Sequence, residues 1–536
     1  MRYAVFLAAV LCAAGARAEE LPKDTNEIKT LTVEQARALS QYKGPLYLNG
    51  LAALEAGAAG RLWEHKDWLI LDGLTDLSVQ TARALAWRKS VLSLNGLTAL
   101  SDEAAEALSR SKSALVLEGV TTLSDNAAKS LAQHQGVFLF LDGVRTLSDD
   151  AARSLAGHKG WLALAGLTAL DSAPLAIKLV NQNRDPLFQP NYPSPFHEAF
   201  RRESKQSKFF AKLAEIRGSD LLLNGLTSVS EEVATVLGQH SGALHLNGLT
   251  AIDGQAAKLL AKHRGTLYLN GLTKLPDEVA IALSRASSLH LNGLTSVSEE
   301  VATALGQHSG SLHLNGLTAI DGQAAKLLAK HRGTLHLNGL TALPDEVAHA
   351  LSSRSALRPK EGDLYLNGLT TVSEGAATSL AHHIFLPHLD GLTKLSVSAA
   401  QALAGHQGGK LQLDGLTMID FPTAKALASF QGNKLSLNGL TILDAFTATA
   451  ITGFNGKELS LNGLSTLDGE TAKALAEFKG DGLYLNGLST LSVEAAQALA
   501  QHKGTLFLNG LTTLSDEAAA ALRANPAISL PGDLNR

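Results

Sequence analysis

A chain of 536 residues with 45% apolar residues and only 5% aromatic ones must build an aliphatic interior, and it exceeds what one ordinary core can hold. The formal charge of −4 gives no reason to expect nucleic acid or an anionic membrane as partner. The single cysteine, Cys12, lies in an apolar N-terminal run, so disulfides, thiol catalysis and thiolate metal sites are excluded from the rest of the chain.

Residues 1–18 have the build of a secretory signal peptide. Arg2 supplies the positive start, Ala4 to Ala14 the apolar centre, and Ala16-Arg17-Ala18 a small-x-small cleavage site. Leu11 is too large for a lipoprotein processing site, so no lipid anchor is expected. Cleavage removes Arg2 and Arg17 and takes the formal charge from −4 to −6. No later stretch is long and apolar enough to span a membrane. Residues 19–45 follow as a polar leader and an N-terminal cap, the cap being Thr30 to Gly44, which reads as the back half of a repeat.

From residue 46 one phrase, L-x-L-N-G-L-T-x-L, organises the chain; a clean copy runs from Leu506 to Leu514. Its glycine falls at six positions from Gly50 to Gly166, within residues 46–170. It falls at thirteen more from Gly225 to Gly510, within residues 218–536, usually 23 residues apart. Ile528 to Gly532 reads as a closing strand and C-terminal cap. Leu506-Phe507-Leu508 alternates as a short strand with both leucines inward. Asn509-Gly510 is a turn signal, with glycine expected to supply positive φ. Ser515 is placed to cap a helix, and Asp516 and Glu517 suit the positive end of its dipole. In full units such as Ser492 to Gly504 the helix is expected to end at the glycine. No unit buries its own leucines, so stacking is compulsory.

Two segments interrupt the array. Residues 171–217 hold five prolines, then a basic amphipathic stretch from Phe196 to Arg217. They read either as a degenerate repeat with an enlarged helix or as a protruding docking element. Arg358 to Gly362 reads as a short surface loop. Residues 222–287 and 290–355 are near-copies 68 positions apart, a duplication that an extended binding surface tolerates better than a fixed catalytic pocket does.

The pattern L-x-L-x-x-L-x-x-L followed by a short helix resembles a leucine-rich repeat, nearest the 23-residue bacterial surface type, over about residues 30–532. The resemblance implies an α/β fold: a leucine-rich-repeat solenoid with a concave parallel β-sheet and short helices on the convex side. One departure is visible. The family's asparagine sits deeper in the turn, where Leu511 stands here, and this chain carries its asparagine earlier, at Asn509.

Three rows of polar residues remain. The Asn/Asp row of the phrase reads as turn chemistry. Histidines two residues before a glycine, among them His134, His158, His240, His263, His308, His331, His406 and His502, read as cations or donors at helix C-termini, with a pH sensor as the alternative. The middle residue of L-x-L gives a stripe on the open sheet face: His245, Tyr268, His290, His313, His336, Tyr365 and His388. It reads as a polar-aromatic ligand stripe, as solvated surface, or as imidazoles sharing a metal, although a flat row supplies a tetrahedron poorly. The same position is aromatic toward the N-terminus, with Tyr47, Trp68, Ile70, Phe138, Phe140 and Trp161 on or beside the face, and charged toward the C-terminus, from Lys410 to Ser460. The 171–217 insert is a candidate cover for the aromatics.

No G-x-S-x-G, H-E-x-x-H, phosphate loop or dinucleotide fingerprint occurs. The expected function is therefore a secreted, periplasmic or cell-envelope binding or scaffold module. It needs no cofactor, is not an enzyme, and meets a protein or glycan partner, not nucleic acid. The alternatives are an enzyme or metal-dependent adhesin with a site at 171–217, or a purely structural envelope component.

Overall fold

The computed structural model describes residues 24–182, 220–353, 362–383, 387–532 and 534; the signal segment and most of the insert lie outside them. The chain divides into two compact units, Met1–Leu272 and Thr273–Arg536.

In the first unit, six strands from Leu46–Tyr47 to Trp161–Ala163 form a parallel sheet in chain order. Leu46, Leu69, Leu92, Leu115, Leu139 and Leu162 share one register. Three further strands, Leu221–Leu222, Leu244–His245 and Thr266–Tyr268, pair the same way. In the second unit, Ser288–His290, Ser311–His313, Leu335–His336 and Leu364–Tyr365 pair in order. A six-stranded sheet follows, from Lys410–Gln412 to Ile528–Ser529. Each inward leucine lies under the same leucine of the next repeat and is essentially inaccessible. Full burial of such a side chain is worth about 1.5–3 kcal/mol, which is why the spine alone fixes the stacking.

Between strands, most helices have seven or eight residues and open on a side-chain cap. Ser515 Oγ accepts from the Ala518 amide at 3.2 Å, as the sequence led one to expect, and Asp253 and Asp321 take the same role elsewhere. The small Ala518 and Ala519 face inward and let helix and sheet close on one another. The N-terminal turn begins with Asp24 capping Thr25–Glu27; Thr25 Oγ1 donates to Tyr47 O at 2.5 Å, and Ile28 is buried.

Two glycine expectations are corrected. Among the described residues only Gly44 has positive φ, so the phrase glycines are not there for a left-handed turn. They are there for space. A Cβ at Gly73 would lie 2.0 Å from Asn49 O of the preceding repeat, and one at Gly316 would lie 2.2 Å from Asn292 O. Nor do helices end at the later glycine. The helix Val493–Leu499 closes at Ala500, and Gly504 follows four residues on, where a Cβ would meet Gly480 O at 2.4 Å.

The asparagine row does more than turn the chain locally. Along much of the row the side-chain oxygen accepts from the backbone N–H of the residue in the same place one repeat later. Asn315 Oδ1 holds the Asn338 amide at 2.9 Å, Asn338 Oδ1 holds Asn367 at 2.9 Å, and Asn367 Oδ1 holds Asp390 at 3.0 Å. Asp72 serves equally, accepting from Asn95 at 3.0 Å. The displaced asparagine therefore still makes an inter-repeat ladder, and Leu511 is free to enter the core.

Histidines before the glycines are buried, not solvent-facing cations. His134 and His158 stack at 6.0 Å between centroids, His240 and His263 at 5.8 Å, and His308 and His331 at 5.4 Å. In the second unit the same register runs His406, Phe430, Phe454, Phe478, His502, at 6.0–6.5 Å. The polar contacts of these rings run instead to carbonyls of the previous repeat in several rungs: His502 Nδ1 meets Ala476 O at 3.1 Å and His406 Nδ1 meets Ala381 O at 3.0 Å. The expectation of a cation fails. Burial, with His158 alongside, pushes His134 down to about 4, and burial takes His158 to about 4 as well. Arg88 occupies one rung of this column, fully enclosed, donating to the carbonyls of Leu62, His65 and Asp67.

The insert begins where the first sheet stops. The helix Ala173–Gln182 brings the Gln182 amide to the sheet edge, where it accepts from Leu162 N at 3.0 Å and donates to Leu162 O at 2.7 Å. One side chain thus stands in for a missing strand. The ladder resumes across the interruption through Gly225 N to Ala165 O at 2.9 Å.

Candidate functional site on the sheet face

A parallel ladder with a 23-residue period places the middle residue of every L-x-L directly beside its counterpart. In the second unit this brings together His290, His313, His336, Tyr365 and His388. Successive ring centroids are 3.7, 3.8, 4.2 and 4.0 Å apart, with interplanar angles of 1–12°. In the first unit His245 and Tyr268 make the same contact at 4.1 Å and 6°. Strand spacing alone is about 4.8 Å, so the rings lean together past the backbone distance and make a continuous stack.

The stack decides which chemistry the stripe can offer. His313, His336 and Tyr365 spend both ring faces on neighbours, so the column presents edges, not faces, outward. Those edges carry nitrogens and a phenol oxygen. His313 Nε2 lies 3.0 Å from Ser311 Oγ, and His388 Nε2 lies 3.9 Å from Asp363 Oδ2. Burial, then the neighbouring His290 and His336, push His313 down to about 3, and burial also lowers His336. At neutral pH His313 and His336 are thus uncharged hydrogen-bonding groups at the centre of the column.

Metal binding fits this arrangement poorly. Stacked imidazoles point their in-plane lone pairs in parallel, whereas a zinc ion needs them to converge at 2.0–2.1 Å. Among the described residues no group of three or more His, Cys, Asp or Glu is placed to hold a metal ion.

The flanks differ in character. Trp68, Ile70, Val91, Ala114, Val116 and Phe140 form a buried cluster, so Trp68 and Phe140 are core, while Tyr47, Phe138 and Ala163 pack half-buried against it. The segment expected to cover them lies, beyond Gln182, outside the described residues. Toward the C-terminus charges neutralise one another: Lys434 Nζ bonds Glu458 at 2.7 Å and lies 5.0 Å from the centre of the Tyr484 ring.

The inner His/Phe column has a signal in the sequence that the histidines alone do not reveal. Phe430, Phe454 and Phe478 occupy the histidine place before a glycine, and a position that accepts phenylalanine cannot be a solvated cation. Among the described residues no helix is long and apolar enough to cross a membrane.

No family model and no curated protein matches the sequence. Solved structures similar to it are repeat proteins. A Leptospira interrogans LRR protein is 16% identical, with 86% of this chain and 95% of that one covered and a TM-score of 0.26. An internalin from Listeria monocytogenes is 17% identical, covering 64% and 98%, with a TM-score of 0.33. TLR13, solved in complex with ssRNA13, is 17% identical, covering 95% and 65%, with a TM-score of 0.41. The chain's own leucine spine, asparagine ladder and parallel strands at a 23-residue period give it a leucine-rich-repeat fold.

Proposed function

We propose that the protein is a secreted or cell-envelope binding scaffold that holds a protein or glycan partner across its sheet face, with the ring column from His290 to His388 as the anchor. The observation that carries this reading is the unbroken five-ring stack on the outward side of adjacent strands. A preformed, rigid row of rings loses little conformational freedom when a partner docks. Its outward nitrogens and phenol oxygen recur roughly once per strand, which suits an extended polymer with repeated polar groups. Ser288, Ser311 and Thr334 precede the rings and Asn292, Asn315 and Asn338 follow them, so this part of the face is polar without being charged. Catalysis is no part of the proposal.

The test is capture of partners by the purified protein from envelope and medium fractions, together with a glycan array, using the parent and the H290A/H313A/H336A variant. A discrete ligand retained by the parent and lost by a variant of unchanged thermal stability supports the reading. Equal capture by both removes the column from it.

A further inference from the structure

Beyond His388 the sheet face of the second unit changes character. In the ring column His313, His336 and Tyr365 are covered on both faces. Tyr484 is not. Phe507 takes one face, at 4.4 Å between centroids and 5° between planes. On the other side the register neighbour is Ser460, and beyond it Ser436. Both side chains are short and turn down into the asparagine ladder: Ser436 Oγ donates to Asp414 Oδ1 and Ser460 Oγ to Asn438 Oδ1, each at 2.7 Å. No ring therefore stands against this second face. The group that meets it is the Lys434 ammonium, which reaches across the intervening strand to lie 5.0 Å from the ring centre.

The sequence makes room for the ring. Of the residues directly before a strand's first leucine, Gly482 alone is glycine. A Cβ there would lie 3.2 Å from Tyr484 Cε2, so the bare position lets the ring lean over its own strand. From Gly391 to Gly487 the phrase recurs every 24 residues instead of 23. The added residue falls just before the strand, as Asn433, Lys457 and Asp481, all exposed, and gives that rim donors and acceptors of both signs.

Two groups flank the open face with opposite hydrogen-bonding character. Lys434 only donates and Glu458 only accepts. They bond one another at 2.7 Å, with side chains 34% and 38% exposed, and their charges cancel. Such a set matches a ligand with an apolar face and a rim of hydroxyls, each able to donate and accept. A neutral sugar ring has that build, its C–H face packing on the aromatic ring. An exposed cation–π contact is weak enough for a ligand to displace.

We propose that the free face of Tyr484 is a saccharide subsite. A neutral pyranose stacks on the ring from the Ser460 side, moves the Lys434 ammonium off it, accepts hydrogen bonds from Lys434 and donates them to Glu458. The assignment does not rest on the ring column, whose covered faces exclude such stacking. A neutral sugar is favoured over an acidic one because Glu458 stands beside the lysine and Asp481 is exposed at the rim. It is favoured over a protein because the open face is bordered by Ser460, Ser436 and Gly482, not by the packed apolar neighbours of a protein-binding hot spot.

The experiment is saturation-transfer NMR of the purified protein with maltotriose, cellotriose, mannotriose and triacetylchitotriose, and with trigalacturonate as the acidic comparison. The proteins are the parent, Y484A, Y484F, E458A and H290A/H313A/H336A, with melting curves recorded for each; E458A, at a side chain exposed to solvent, carries the test if Y484A does not fold. At least one neutral trisaccharide should receive saturation, strongest at the C–H protons of one sugar face. Y484A and E458A should weaken it at least tenfold, whereas Y484F and the histidine variant should retain it. No signal from any neutral trisaccharide overturns the proposal, as does undiminished binding by Y484A or E458A. Preference for trigalacturonate overturns the neutral assignment, and loss of binding in the folded histidine variant alone moves the sugar to the ring column.

Discussion

Replacing His134 with phenylalanine should remove a defined part of the protein's acid sensitivity. The substitution has a precedent within the chain, since Phe430-Gln431-Gly432 repeats the spacing of His134-Gln135-Gly136 and its ring stacks in the equivalent column. His134 is 4% exposed, and burial followed by the neighbouring His158 lowers it from 6.5 to about 4. Between those values the unfolded chain binds the proton and the folded one does not. The histidine therefore contributes stability that is full above about pH 6.5 and is lost as pH falls through about 4. With one pH unit worth 1.36 kcal/mol, the loss on going from pH 7 to pH 4.5 is about 2.5 kcal/mol for this residue. Urea denaturation of the parent and of H134F at both pH values measures it. The variant should lose about 2.5 kcal/mol less than the parent over that interval. Identical pH dependence of the two proteins would refute the claim that this imidazole is held neutral by burial.

Gly316→Ala should destabilise the second unit by about 3–5 kcal/mol, because relieving a 2.2 Å approach to Asn292 O must spread two repeats and break their ladder; Gly60→Ala, where a Cβ meets nothing, should stabilise by roughly 0.5–1 kcal/mol, and thermal melts of the pair compare the two. Arg88→Leu should cost roughly 3–5 kcal/mol by leaving the carbonyls of Leu62, His65 and Asp67 without their buried donor, measured by urea titration. Ser515→Ala should cost about 1 kcal/mol through loss of the cap to Ala518, and fraying of the terminal helix should appear as faster amide exchange over residues 516–523.

Much of the architecture is legible in the residues because a solenoid repeats its instructions. The leucines at positions 506, 508 and 511 name the strand and its inward face, and Ser515 names the helix start. Periodicity fixes which residues share a register, and it carried the stripe from His290 to His388 onto one line of strands. It does not say what a register neighbour does. Gly73 invites the common reason for glycine, a left-handed turn, whereas its actual reason is the backbone of Asn49 lying where a Cβ would be. Asn338 suggests a local bond, whereas its partner is the Asn367 amide in the next repeat. The place of His134 near a helix end says nothing about its depth. The ring edges, too, could not be foreseen, because whether neighbouring aromatics stack or splay depends on rotamers that the strand pattern leaves open.

The central claim is that a partner docks on the sheet face of the second unit against the ring column. Hydrogen–deuterium exchange of the protein with and without a captured ligand tests it most directly. The account predicts new protection over residues 288–292, 311–315, 334–338 and 363–367, in step with the strand period. Protection confined to the helix side, with those four segments unchanged, would contradict it.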